Sequence, residues 1–433
     1  MTAGLSRIVI VGGGFAGVAT ARALRRRLPS SWEIVVYSRE NHLCFSPLLP
    51  EVVGSSLNPM HVVWSIREML KGVICRTTPV TGFDLDVQQI RYRAEDGTEA
   101  SEHYDHLVIA AGLPVRLEII EGMGDYGWPI KTLGDAAALR NHLIAQLERS
   151  ELAESPERKR ALLSVAVVGG GFTGVEVAAA ILDLLLDAAP FYSRIRPEEI
   201  QVHLLEGGPR ILAPLTEKLA AFAHRKLEAR GMHIQTGVGV EAADAGGLRL
   251  AGGAHIDAST VISAVGNGVH PLIANSGLAL SRGRIQVNGA MQVEGHADVW
   301  ALGDCAAVPN AEDDSISPTL AQFAGPQGQQ LAKNLEAVSA GRSPQAFRHH
   351  SRGLFCLIGH RNAVGQAFGL RIAGFPAWVM WHAIYWAKMP SAARKLQIAV
   401  DWLWDLCFPR DIVELSMEQT RELEARHGKP TAS

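Results

Sequence analysis

Two short glycine clusters hold the residue types best suited to chemistry. Gly12-Gly13-Gly14-Phe15-Ala16-Gly17 and Gly169-Gly170-Gly171-Phe172-Thr173-Gly174 repeat one spacing, G-x-G-x-x-G, in a chain of 433 residues. In such a turn the first glycine allows a tight bend and the second lets a pyrophosphate approach the backbone with no Cβ in the way. The third lets a helix lie close on a strand. The helix that follows offers free N–H groups and the positive end of its dipole to the phosphates. One cluster alone is a common glycine turn, whereas two in the same surroundings point to two dinucleotide sites. The candidate contacts are Gly12, Gly14, Phe15, Ala16 and Gly17 at the first turn, and Gly169, Gly171 and Gly174 at the second.

A later apolar run, Val299 to Leu302, ends in Gly303-Asp304. A carboxylate at that turn accepts either from a flavin ribityl hydroxyl or from its own backbone. Two more apolar runs, Tyr104 to Gly112 and Thr260 to Gly266, stop at glycine and put Ala111, Gly112 and Gly266 at strand ends.

The elements that must position these residues follow from periodicity. Arg7 to Val11 reads as a strand, Val18 to Leu24 as a helix and Trp32 to Tyr37 as the next strand, a βαβ unit of the usual length. The same grammar recurs in Leu163 to Val168, Val175 to Ile181 and Ile200 to Leu205, the last closed by Glu206. The fold class is therefore α/β, with two Rossmann-like dinucleotide-binding domains. A carboxylate at the end of the second strand, as Glu206 is, bonds an adenosine ribose 2′-hydroxyl and repels a 2′-phosphate, favouring NADH over NADPH. Arg210, four residues on, works against that preference.

Bulk properties exclude several classes. A formal net charge of −3 gives no basic field, so nucleic acid is not an expected partner. No basic, apolar and small-residue leader pattern opens the chain, and the five cysteines lie far apart, which suits reduced thiols in a cytoplasmic compartment. No metal-ligand spacing accompanies His349-His350, and no metal is expected.

Taken together the motifs resemble the type II NADH:quinone oxidoreductases, non-proton-pumping flavoproteins with two dinucleotide domains. The resemblance rests on Ile8 to Gly17, Phe45-Ser46-Pro47-Leu48-Leu49-Pro50-Glu51-Val52, Val168 to Glu176, Leu302 to Cys305, and Pro318 to Ala324. It extends to Gly374 to Trp378, Asp401-Trp402 and Arg410-Asp411. It implies that the first turn, with Asp304 and the Ala321-Gln322 helix start, binds FAD. The second turn would bind NADH, with Glu176 beside the nicotinamide, and Gln322 would serve a quinone that takes the electrons. A related sulfide:quinone chemistry needs a cysteine pair, and no cysteine lies between Cys75 and Cys305.

Two positions depart from the family pattern. The residue expected to be an acid on the FAD ribose is Ser38, followed by Arg39 and Glu40, so Ser38 and Arg39 stand as weaker contacts with Glu40 as a substitute. The family's Ala-Gln-x-Ala-x-Gln signature has Pro326 at its second glutamine, with Gln327 one place on. These departures keep open a soluble acceptor or a non-catalytic nucleotide sensor.

The expected domains are an FAD-binding domain in two parts, 1–120 and 286–345, an NADH-binding domain, 121–285, and a C-terminal domain, 346–433. In the last, Trp378, Trp381, Tyr385 and Trp386, then Trp402, Trp404 and Phe408, are expected on amphipathic helices with basic flanks at Arg371, Lys388, Arg394, Lys395 and Arg410. Such faces suit peripheral association with the cytoplasmic face of an inner membrane, or packing on the body of the protein or on a twin subunit in a homodimer. Lys429 to Ser433 reads as a frayed tail.

Overall fold

The structure is a computed structural model in which residues 6–351, 353–367 and 369–414 are described; the expected tail at Lys429 to Ser433 lies outside them. Two compact units divide the chain.

The first unit takes residues 6–44, 63–116 and 267–351. Its core is a five-stranded parallel sheet in the order Val299–Ala301, His106–Ile109, Ser6–Val11, Trp32–Ser38, Ile74–Thr77. The central strands read as continuous apolar runs because both faces are covered, as parallel sheets require. Ile8, Val9 and Ile10 are fully buried. The helix Phe15–Arg27 packs one side through Ala16, Val18, Ala21 and Leu24. Helix Ala321–Ser339 crosses it closely because Gly328 leaves room for the backbone of Ala16 and Thr20.

The second unit takes residues 45–62, 117–266 and, at the C-terminal end, 353–414. Its five-stranded parallel sheet runs Gly127–Pro129, Thr260–Ser263, Ser164–Val168, Gln201–Glu206, Met232–Thr236. The two sheets are built to one plan. In each, a three-stranded antiparallel meander follows the last edge strand, Val80–Asp84 to Glu99–His103 in the first and Val240–Asp244 to His255–Asp257 in the second. Both meanders carry a register shift in their first strand. Period-2 patterning within these hairpins is weak, so the sequence does not announce them.

Two segments group differently from the expected boundaries. Helix Leu49–Val53 packs on helices Leu133–Leu152 and Phe172–Ala188, so residues 45–62 belong to the second unit. The C-terminal segment forms an antiparallel sheet, Leu354–Leu357, Ala363–Ala367 and Leu370–Gly374, which leans on helices Phe172–Ala188 and Glu217–Glu228 rather than standing apart. Helices Phe375–Lys388 and Ala392–Cys407 follow it. Among the described residues no helix is long and apolar enough to cross a membrane.

Candidate active site

At the first turn the backbone shows why glycine is required. Gly12 has φ +122°, and a Cβ there would strike Ala110 O; a Cβ on Gly17 would strike Gly12 O. Gly14 differs, with open space where its Cβ would be. It precedes helix Phe15–Arg27, whose N-terminus has no side-chain cap and no acid in its first turn. A helix N-terminus with no capping side chain, beside a position bare of side chain, has the form of a phosphate cradle. Ser38 ends the neighbouring strand and leaves no room for a Cβ on Gly13, so its hydroxyl stands against the turn, while Arg39 and Glu40 are exposed. Ala111 and Gly112 (φ +68°) follow strand His106–Ile109, and Gly303 (φ +74°) turns the chain so that Asp304 comes after strand Val299–Ala301. A Cβ on Gly303 would press on Ala16. The structure thus gathers Gly12, Gly14, Phe15, Ala16, Gly17, Ser38, Ala111, Gly112 and Asp304 at the carboxyl edge of one sheet, where dinucleotides bind in open α/β folds. These residues fit FAD.

Ala321 and Gln322 open helix Ala321–Ser339, and Gln322 Nε2 donates to Ser351 Oγ at 3.3 Å. Pro326 lies in that helix's second turn. Gln327 does not replace the missing glutamine: it is 1% exposed, and its Oε1 accepts from the Gly303 N–H at 2.8 Å. The one-residue displacement turns it from the solvent side into the core.

The second turn repeats the first. Gly169 has φ +111°, a Cβ on Gly174 would strike Gly169 O, and Gly171 again faces open space before an uncapped helix, Phe172–Ala188. Gly266 (φ +62°) ends the run after Thr260–Ser263, as Gly112 does in the first unit. Glu206 accepts from the N–H groups of Gly170 and Gly208, each at 2.7 Å. Its carboxylate therefore stands at the turn, held by charge-assisted bonds. Arg210 is drawn elsewhere, donating to the carbonyls of Leu215 at 2.9 Å and Ala213 at 2.8 Å. Its guanidinium is occupied by backbone.

Glu176, one turn into helix Phe172–Ala188, accepts from Leu357 N–H at 2.9 Å. Burial of its carboxyl pushes the pKa up to about 8; the Leu357 bond opposes that and the nearby Glu51 adds to it. Trp381 weakly favours the anion, although its Nε1 makes no hydrogen bond of full geometry. Trp381 is 1% exposed, so the expectation that it sits on the outer aromatic face is corrected: it belongs to the core of this unit. Trp402 is half-buried, tied through its Nε1 to Glu51 Oε2 at 2.8 Å. The outward apolar side chains are instead Phe375, Val379 and Trp386 on one helix, and Leu396, Val400, Leu403 and Trp404 on the next. The second set follows i, i+4, i+7, i+8 spacing.

Sequence reasoning assigned Glu51 no role. The signal was available: Leu48-Leu49-Pro50-Glu51-Val52-Val53 is an apolar run with one acid in its middle. Glu51 is 8% exposed, and burial pushes it up to about 8 against the Trp402 hydrogen bond. Among the described residues no group of three or more potential metal ligands occurs.

Residues 6–328 match the pyridine nucleotide-disulphide oxidoreductase family. A demethylphylloquinone reductase of Synechocystis is 31% identical over 415 residues, covering 93% of this chain and 97% of the relative. A type II NADH:quinone oxidoreductase of Mycobacterium tuberculosis is 29% identical over 423 residues, covering 94% and 87%. The NDH2 of Plasmodium falciparum, solved in complex with NADH, shares the fold at a TM-score of 0.87 and 18% identity, covering 94% of this chain and 100% of that one. The duplicated glycine turns, each on a five-stranded parallel sheet, and these likenesses along nearly the whole length have one explanation: the chain belongs to the pyridine nucleotide-disulphide oxidoreductase family, among its type II NADH:quinone oxidoreductases.

Proposed function

We propose that this protein oxidises NADH and reduces a quinone through non-covalently held FAD, without pumping protons. The observation that carries this is the duplicated cradle: two uncapped helix N-termini, each behind a glycine with open space, at Gly14 and at Gly171. Bound FAD would supply the chemistry, accepting a hydride and returning two electrons. Gly12, Gly14, Phe15, Ala16 and Gly17 receive its pyrophosphate on backbone donors, with Ser38 and Arg39 toward the ribose. Ala111, Gly112, Asp304, Ala321 and Gln322 complete the set. Gly169, Gly171, Gly174 and Gly266 hold NADH in the same manner. Glu206 takes the ribose hydroxyls and repels a 2′-phosphate, a preference that Arg210 does not cancel because backbone carbonyls occupy it. Glu176, protonated near neutral pH through its raised pKa, meets the nicotinamide as a neutral group. Gln322 stands on the quinone side.

Helices Phe375–Lys388 and Ala392–Cys407 lie on the cytoplasmic face of the inner membrane through their exposed apolar side chains, so the quinone arrives from the bilayer; the protein is peripheral and works alone or as a homodimer. Following flavin colour with NADH and then with a quinone in the stopped flow tests the proposal. A second reading, a soluble acceptor, is favoured by Pro326 and by the burial of Gln327; rapid reoxidation by soluble acceptors but not by quinones would establish it.

A further inference from the structure

Glu51 is the one ionisable residue of helix Leu49–Val53, and two side chains meet its two oxygens. Trp402 donates to Oε2 at 2.8 Å, and His382 Nε2 lies 3.7 Å from Oε1. His382 is 9% exposed and enclosed by three indoles, those of Trp378, Trp381 and Trp402, with ring centroids 4.1, 4.9 and 4.4 Å away. Its Nδ1 lies 2.9 Å from the Trp378 carbonyl oxygen. A carbonyl only accepts, so Nδ1 carries a proton, and in the neutral ring Nε2 presents a lone pair to Glu51. A carboxylate facing that lone pair would be repelled, so the Glu51–His382 pair holds one proton, on Oε1 or on Nε2.

The other groups around the pair favour that state. Asp405 and Asp401 disfavour a charge on Glu51, the Trp402 hydrogen bond and Arg410 oppose them, and Glu51 in turn disfavours a charge on Glu176. Arg410 is shared among Asp183, Asp187 and Asp405, and Asp401 is engaged by His61 at 2.6 Å. From helix Leu133–Leu152, Arg140 is turned to Ser55 and to the carbonyls of Asp411 and Val413. Burial lowers His382 to about 4 while Glu51 rises, which puts the shared proton on Glu51.

We infer that the Glu51–His382 pair stores the proton that quinol formation requires beyond the one carried by NADH. This rests on the NADH:quinone reading. A hydride brings two electrons and one proton, and a quinol needs two of each: NADH + Q + H⁺ gives NAD⁺ + QH₂. The pair releases its proton toward the acceptor and takes one back from water, so no other reactant is needed. His382 and Trp402 are carried by the same two helices that expose Phe375, Trp386, Leu403 and Trp404, which sets the store directly behind the apolar surface proposed to receive the quinone.

The test uses full-length holoenzyme and a short-chain ubiquinone. In the wild type, flavin reoxidation should fall along an alkaline limb near pH 8. Glu51→Gln, which keeps the shape and the bond to Trp402, should slow reoxidation roughly tenfold below that limb and converge on the wild-type rate above it, with flavin reduction by NADH little changed. His382→Gln should move the limb, and Glu51→Asp should restore part of the rate. Independently of any quinone, the infrared band of a protonated carboxyl at neutral pH should lose intensity in Glu51→Gln. An unchanged pH profile, or no loss of that band, overturns the proton store. A band lost as expected in a protein that no quinone reoxidises overturns the quinone reading instead.

Discussion

Trp402 donates its indole N–H to Glu51 Oε2 at 2.8 Å, joining a C-terminal helix to the short helix of the Pro-Leu-Leu-Pro-Glu segment through a buried acid. An indole N–H is a donor only, so the bond holds whether or not Glu51 carries its proton, and it favours the charged form. Trp402→Phe should therefore raise the Glu51 pKa further. It should also cost about 1–3 kcal/mol through an unsatisfied buried oxygen, read as a fall in urea midpoint at constant slope.

The raised acids set a pH dependence of stability. Burial pushes Glu51 and Glu176 up to about 8 in the folded chain, against an ordinary 4.5 when the carboxyl is in water. Between those values the unfolded chain gives up its proton while the folded chain keeps it, so stability falls as pH rises through this window, by up to about 1.4 kcal/mol per unit for each acid. Below about 4.5 both states are protonated and the contribution is fully present. Glu51→Gln should flatten the curve, leaving the variant more resistant to heat than the wild type at pH 8 and nearly equal at pH 4.5. Thermal scans at those two values check it.

Glu206→Gln should narrow the preference for NADH over NADPH in kcat/KM by roughly tenfold. The variant loses the repulsion of a 2′-phosphate and one of the two acceptor oxygens that hold Gly170 and Gly208. Wild-type protein that uses NADPH at least equally well would contradict the role of Glu206.

Leu403 and Trp404, 62% and 60% exposed, are the side chains to change in a test of membrane docking. Replacing both with Ser removes two exposed apolar anchors, each worth about 1.5–3 kcal/mol when buried. Binding to anionic liposomes should fall at least tenfold while flavin reduction by NADH is kept. Unchanged co-sedimentation would show that another surface, or none, meets the bilayer.

Much of this architecture is legible in the sequence because a parallel sheet writes itself as apolar runs closed by glycine. Ser6–Val11 and Ser164–Val168 fall within a residue of their expected limits, as does Trp32–Ser38. Gly12 and Gly17 announce positions where a Cβ would meet backbone. The C-terminal region was harder to read. Aromatic content alone does not say which ring faces inward: Trp381 and Trp386 lie on one helix, yet the first is enclosed and the second 43% exposed. Glu51 and His382 are 331 positions apart, and only the folding of residues 45–62 onto the second unit brings them together. Gln327, offered by the sequence as a substitute for the missing glutamine, is committed to Gly303.

The most direct test of the NADH:quinone reading is anaerobic stopped-flow spectroscopy of the purified yellow protein, mixed first with NADH and then with a quinone. NADH should bleach the flavin band, the quinone should restore it at a catalytically competent rate, and Gln322→Met should slow the second phase while sparing the first. A flavin that NADH leaves oxidised, or that soluble acceptors restore while every quinone fails, would contradict it.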